Sequence, residues 1–211
     1  LHYFDIYHNH FRRFRDDPDR PVRLLEIGVF RGGSLEMWRD YFGANATIHG
    51  VDVDERCRQF AAENTHVHIG NQADRTFLER LVRQAGPFDI VIDDGGHRMT
   101  EQHVSFDVLY PAVVDDGVYL VEDLHTSYWH HWGAGPQQSH SFIERAKRMV
   151  DSVNAWHTRS ADFGPTMLTR TATGIHFYDS VLVLEKCPNP KPPRAAKTGV
   201  DPFGTVQATE G

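Results

Sequence analysis

Short apolar runs rich in Val, Ile and Leu alternate along this chain with segments of helical period. That alternation narrows the possible folds more than any other feature. The runs lie at 22–27, 47–51, 66–69, 88–92 and 117–122. Runs of this length and β-branched content read as strands buried on both faces. Between them the spacing predicts helices over 35–42, about 54–63, 73–84 and 100–109, the first with Leu35, Trp38, Tyr41 and Phe42 on one face. Strand and helix in regular alternation predict an α/β fold, a doubly wound and mostly parallel sheet with helices on both faces. Aromatics at helical spacing (Tyr3, Phe4, Tyr7, Phe11, Phe14) add an amphipathic helix over 3–15, broken by the Asp17-Pro18-Asp19-Arg20-Pro21 stretch. A further helix is expected over 139–153. The stretch 175–185 reads as one bent strand or a hairpin closing the sheet edge. Residues 1–187 are thus expected to form a single domain, with 1–20 as its N-terminal helical segment. The stretch 188–211, opening Pro-Asn-Pro-Lys-Pro-Pro, reads as a flexible Pro-rich tail.

Bulk numbers exclude several function classes. A chain of 211 residues can bury a sizeable core. Its net charge of −7 leaves no broad basic face for phosphates, so no nucleic-acid partner is expected. Arg12, Arg13 and Arg15 are interleaved with Asp16, Asp17 and Asp19 and read as a solvated helix end. No apolar stretch approaches 18 residues, so no membrane span is expected. The first residues lack both an initiator Met and the apolar core of a signal peptide. Cys57 and Cys187 imply no disulfide framework, which fits a reducing, cytoplasmic setting. Most of the 14 histidines read as surface or locally hydrogen-bonded groups. There is no His-Glu-x-x-His pattern and no clear two-His-one-carboxylate triad.

His97 stands apart because of its position. Asp93-Asp94-Gly95-Gly96-His97 directly follows one apolar run, and Glu122-Asp123 follows another. Ligands of open parallel sheets bind outside the carboxyl ends of the strands, so four carboxylates and an imidazole are expected to share one crevice. Hard oxygen donors of this kind suit Mg²⁺, Ca²⁺ or Mn²⁺ better than zinc. Each group also has a plainer reading: Asp93 or Asp94 as a helix cap, Glu122 and Asp123 as a solvated loop, His97 as a satisfied loop histidine.

Glu26-Ile27-Gly28-Val29-Phe30-Arg31-Gly32-Gly33-Ser34 sits between the first strand and its helix. Glycines there let the backbone approach a ligand. A dehydrogenase would carry Gly-x-Gly-x-x-Gly for a pyrophosphate; the acid at Glu26 would repel one and attract an ammonium or sulfonium group. Asp52, at the end of the second strand, is placed for the two ribose hydroxyls of a nucleoside.

At these residues the chain resembles the class I S-adenosylmethionine-dependent methyltransferases, over residues 22–123. Longer strings are similar to the metal-dependent sugar O-methyltransferases of macrolide biosynthesis, the macrocin and mycinamicin type. They include Leu24-Leu25-Glu26-Ile27-Gly28-Val29, Gly50-Val51-Asp52-Val53-Asp54, Gly70-Asn71-Gln72-Ala73-Asp74, the Asp93 loop and Val121 to Trp129. The cephalosporin-hydroxylase-like branch and rhamnosyl O-methyltransferases are also similar. Two departures stand out: Gly96 occupies the place of an expected Ser, and the macrolide members' extra N-terminal domain is not expected within residues 1–211.

The resemblance implies a seven-stranded Rossmann-like methyltransferase sheet and Mg²⁺-dependent methyl transfer from S-adenosyl-L-methionine to a sugar hydroxyl of a glycoside natural product. Mn²⁺ or Ca²⁺ are the possible substitutes. It implies Asp94, Glu122 and Asp123 as metal ligands and His97 as general base. Cofactor contacts are expected from Glu26, Gly28, Gly32, Ser34, Asp52, Asn71, Gln72 and Asp93, with Gln72 and Asn71 at the adenine and Asp93 near the methionine moiety. A homo-oligomer follows from the same resemblance. Acceptor contacts are expected from the 125–140 and 157–174 loops. The competing readings are a hydroxylase-like oxygenase component and a non-catalytic nucleoside-binding module.

Overall fold

The computed structural model describes residues 2–17 and 19–192. Seven strands form one sheet: β1 Val22–Ile27, β2 Ala46–Asp52, β3 Thr65–Ile69, β4 Phe88–Asp93, β5 Val113–Val121, β6 Ala172–Phe177 and β7 Leu182–Lys186. Their order is β3-β2-β1-β4-β5-β7-β6. The first five strands pair in parallel, and β7 inserts antiparallel between β5 and β6. The helices are α1 Tyr3–Arg15, α2 Gly33–Phe42, α3 Arg75–Ala85, α4 Met99–Ala112, α5 Phe142–Val153 and α6 Met167–Thr171.

Successive strand residues point to opposite faces, and here both faces are covered. Leu24, Ile90, Ile92, Val118 and Leu120 pack with Phe11 and Phe14 of α1 and with Leu35 and Trp38 of α2. Their neighbours Leu25, Val91, Tyr119 and Val121 pack on the other face with Leu78 of α3, Phe106 of α4 and Phe142 of α5. The predicted doubly wound, mostly parallel sheet with helices on both faces is the observed architecture.

Local differences have physical causes. The segment expected as a helix over about 54–63 is a short 3₁₀ turn, Glu55–Phe60. Cys57 is its one buried residue, so it has no apolar stripe to anchor a longer helix. The 139–153 helix begins at Phe142, because Ser141 caps it by accepting from the Glu144 N–H at 3.3 Å. The 175–185 stretch resolves as a hairpin, turned at Tyr178 to Val181 with Ser180 at φ 66°. Within the stretch expected as an aperiodic loop over 157–174, α6 forms on a capping box between Thr166 and Thr169.

The Arg cluster at the end of α1 is not simply solvated: Arg13 reaches Asp116 at 3.5 Å and Glu185 at 3.6 Å. No helix among the described residues is long and apolar enough to cross a membrane. The expected tail lies outside the described residues from 193 onward.

Candidate active site

Parallel pairing places the carboxyl ends of β1, β4 and β5 side by side, and hydrogen bonds carry the register into the loops. The Asp94 N–H donates to the Ile27 carbonyl at 3.0 Å, and the Glu122 N–H to the Asp93 carbonyl at 3.0 Å. β1 is flanked by β2 and β4, so the crossovers diverge here and leave a crevice. A cleft of about 750 Å³ opens at this point. Its wall comes from the β1–α2 turn (Gly28, Phe30), the ends of β2 and β3 (Asp52, Asn71, Gln72), the loop after β4 (Asp94, His97), and Asp123 and Trp132.

Asp94, His97 and Asp123 each offer a ligand atom, and these atoms all lie within 4.8 Å of one another. His97 Nε2 is 3.8 Å from Asp94 Oδ1 and 3.7 Å from Asp123 Oδ2. Burial first, then the charges of Glu122 and Asp123, push the Asp94 carboxyl well above its ordinary range. Burial also raises Glu122, against the lowering effect of its hydrogen bond from Tyr7. Among the described residues, the ion-pair partners of Asp94 and Asp123 are histidines, never Lys or Arg. Crowded carboxylates whose repulsion no side-chain cation relieves are a fitting seat for a hard divalent ion. Burial lowers His97, which favours the neutral imidazole that a general base requires. His97 and Asp123 both hold left-handed backbone, at φ 54° and 52°. Such strain in non-Gly residues often marks functional sites.

The cofactor-side residues divide into two sets. Gly28, Asp52, Asn71 and Gln72 line the cleft, as do Asp94, His97 and Asp123. Glu26, Gly32, Ser34, Asp93 and Glu122 are not part of its lining. Asp52 Oδ2 accepts from the Val29 N–H at 3.0 Å and the Phe30 N–H at 2.9 Å, and Oδ1 from the Asp54 N–H at 2.9 Å. Desolvation opposes its ionisation, but these donors outweigh it and hold the carboxyl below its usual value. Asp52 therefore pins the glycine-rich turn as well as facing the cleft.

Glu26 is 2% exposed and accepts from Ser34 Oγ at 2.7 Å and Trp38 Nε1 at 3.0 Å. Burial raises its carboxyl to about 7. Asp93 is 1% exposed, accepts from Ser105 Oγ and from Gln72 Nε2 at 3.0 Å, and is raised by burial to about 6. Gln72 Oε1 in turn accepts from the Gly96 N–H at 2.7 Å, so its amide ties Asp93 to the loop that carries His97. Asn71 Oδ1 accepts from the Ala73 N–H at 2.8 Å. The two glycines make room for protein. A Cβ on Gly28, at φ 101°, would lie 2.0 Å from the Asp94 carbonyl, and one on Gly32, at φ 74°, would lie 2.5 Å from the Phe60 ring.

Neither Asp93 nor Asp94 caps α4; the Glu101 carboxylate accepts from the Arg98 N–H at 3.0 Å instead. No residue of 157–174 lines the cleft, whereas Trp132 from the other predicted loop does. The fold also assembles a group that sequence reading did not find, His10, His176 and Glu185. Both ring nitrogens of His10 are already engaged, by Glu185 at 2.8 Å and Tyr178 at 2.9 Å, and Arg13 stands beside the carboxylate. This group ties α1 to the hairpin. Also unassigned from sequence are Tyr7, whose hydroxyl donates to Glu122 Oε1 at 2.6 Å, and Tyr3, which donates to Asp123 Oδ1 at 2.9 Å. Their i, i+4 spacing on α1 was the available signal, and it also suits ordinary core packing.

Residues 25–124 match the family model described as a methyltransferase domain. The chain is 36% identical over 197 residues to the mycinamicin VI 2''-O-methyltransferase of Micromonospora griseorubida, covering 88% of this chain and 48% of that protein. It is 34% identical to the demethylmacrocin O-methyltransferase of Streptomyces fradiae, covering 88% and 49%. The MycE methyltransferase of the mycinamycin biosynthetic pathway, in complex with Mg, SAH and mycinamycin VI, superposes with a TM-score of 0.83 at 33% identity. That superposition covers 93% of this chain and 52% of MycE. The chain spans about half the length of the curated relatives it matches.

Proposed function

We propose that this chain, whose residues 25–124 match the methyltransferase-domain model, transfers a methyl group from S-adenosyl-L-methionine to a sugar hydroxyl of a glycosylated natural product, assisted by Mg²⁺. The observation that carries this reading is the meeting of Asp94, His97 and Asp123 in the cleft that also displays Asp52. The likeness to MycE, which was solved with Mg and SAH, supports both cofactors.

In this reading Asp94, Glu122 and Asp123 hold the ion. Once bound, it acts as a Lewis acid toward the acceptor hydroxyl and makes that proton easier to remove. His97 takes the proton at Nε2, the nitrogen that faces the two aspartates. Asp52 receives the ribose hydroxyls while it keeps the Val29–Phe30 turn in place. Gly28, Asn71 and Gln72 border the nucleoside, while Glu26, Gly32, Ser34 and Asp93 act from behind the wall by fixing its shape. The sulfonium methyl needs positioning rather than activation, and holding it about 3–3.5 Å from the acceptor oxygen supplies much of the rate. The acceptor sugar lies against the aromatic rim after β5, where Trp129 is 45% exposed and packs 4.6 Å from the His125 ring. A cytoplasmic setting and a homo-oligomer belong to the same reading. Free Cys57 and Cys187 support the first, and light scattering checks the second.

The test is methyl transfer to a panel of rhamnosides and macrolide glycosides, read by mass spectrometry. Turnover should require S-adenosylmethionine, stop in EDTA and return with Mg²⁺. Full turnover in EDTA, or binding of NAD in place of S-adenosylhomocysteine by calorimetry, would overturn the reading.

A further inference from the structure

We propose that Tyr7 and Tyr3, on one face of α1, are positioning residues for the Glu122–Asp123 pair, each hydroxyl holding one carboxylate oxygen so that the other stays free for a divalent cation. This rests on the function proposed above and extends it to a helix that lies outside the matched family region. Tyr7 Oη donates to Glu122 Oε1 at 2.6 Å, and Tyr3 Oη donates to Asp123 Oδ1 at 2.9 Å. Among the described residues no hydrogen bond uses Glu122 Oε2, and Asp123 Oδ2 faces His97 Nε2 at 3.7 Å.

The donors are themselves fixed. The Tyr7 ring is parallel to Phe11 at 5.9 Å and meets Trp38 edge-on at 5.0 Å. Trp38 Nε1 donates to Glu26 Oε1 at 3.0 Å, so Trp38 braces both Tyr7 and the acid beneath the glycine-rich turn. One rigid aromatic cluster therefore sets both sides of the cleft.

Hydroxyl donors suit the task in a way that Arg or Lys would not. A neutral O–H orients a carboxylate without cancelling the charge that draws the cation. Asp123 needs such a partner, since its left-handed backbone at φ 52°, ψ 38° sits in a narrow well that its surroundings must impose. Partners of this kind, one step behind metal ligands, typically contribute about 10–100-fold to metal affinity.

The experiment compares wild type, Tyr7→Phe, Tyr3→Phe and Asp94→Asn by calorimetry with Mn²⁺, and separately with S-adenosylhomocysteine. Tyr→Phe removes one oxygen and keeps the ring, and Tyr3 is only half-buried, so at least that variant tests the idea in a folded protein. The expected result is Mn²⁺ affinity weakened about 10–100-fold in each Tyr variant, with S-adenosylhomocysteine affinity unchanged. Mn²⁺ affinity equal to wild type in both Tyr variants, while Asp94→Asn abolishes it, would overturn the positioning role and leave the proposed function standing. No Mn²⁺ binding by wild type would overturn both. Equal loss of Mn²⁺ and S-adenosylhomocysteine binding would mean that the tyrosines support the fold alone.

Discussion

His97 is the residue on which the proposed chemistry turns, and its surroundings explain how it could act at neutral pH. Burial favours the neutral imidazole, and Trp132 lies edge-on at 5.8 Å to limit its motion. Two carboxylates stand on its Nε2 side and would stabilise the imidazolium once the proton arrives. His97→Ala removes the base and leaves the acids in place. Turnover should fall about 10²–10⁴-fold, with partial recovery at high pH, where hydroxide replaces the missing base. The check is a pH–rate profile beside calorimetry of cofactor binding, which should stay at the wild-type level. Joint loss of cofactor affinity would assign His97 to the nucleoside pocket instead.

Among the elements, α1 carries more of the site than its place ahead of the sheet suggests. Its aromatic face inserts Phe11 and Phe14, 0% and 1% exposed, against α2 and the sheet. The same face brings Tyr3 and Tyr7 to the acidic pair, and His10 to the β6–β7 hairpin. Phe11→Ala opens a cavity beneath both Tyr7 and Trp38, its neighbours at 5.9 and 5.7 Å. A loss of about 3–5 kcal/mol is expected for such a truncation, measurable by urea unfolding. Weakened Mn²⁺ binding should accompany it under native conditions, because the Tyr7 support loosens with the core. A stability loss of that size with intact Mn²⁺ affinity would separate α1 from the site.

The whole molecule carries an unusual load of buried acid, and pH makes this measurable. Glu26, raised by burial to about 7, and Asp94 and Glu122, raised by burial and by neighbouring carboxylates, bind protons more tightly folded than unfolded. Their contribution is present at low pH and is lost as pH rises through the folded values. Lowered histidines such as His10, His49 and His103 act oppositely, since they resist protonation in the fold, and stability is lost as pH falls below the unfolded value of about 6.5. Above about pH 7 these histidines are mostly neutral in both states and the acids dominate the slope. In EDTA the Tm should therefore fall between about pH 7 and 8. Mg²⁺ should flatten or reverse the fall by binding the folded state alone, and Glu26→Gln should remove part of it. A Tm that is level in EDTA across that range would mean the acids are not electrostatically strained.

Sequence alone determined the architecture and which acids stand at the strand ends. Strand and helix periods are local properties, and an acid directly after a buried strand must emerge at the carboxyl edge of a parallel sheet, as Asp52, Asp94 and Asp123 do. The sequence does not decide between a bent strand and a hairpin over 175–185, because the turn at 178–181 lacks the Asn-Gly or Asp-Gly signal. The structure alone decided which of the polar residues face the cleft. Neighbouring acids such as Asp93 and Asp94, or Glu122 and Asp123, look equivalent in sequence. Side-chain direction alternates along a strand, though, so Asp93 turns to Ser105 and Gln72 while Asp94 meets His97. The tyrosines of α1 lie 115 and 120 positions from their carboxylate partners. No local pattern encodes such contacts; they arise when α1 packs across the sheet, because that packing decides which hydroxyl reaches which acid.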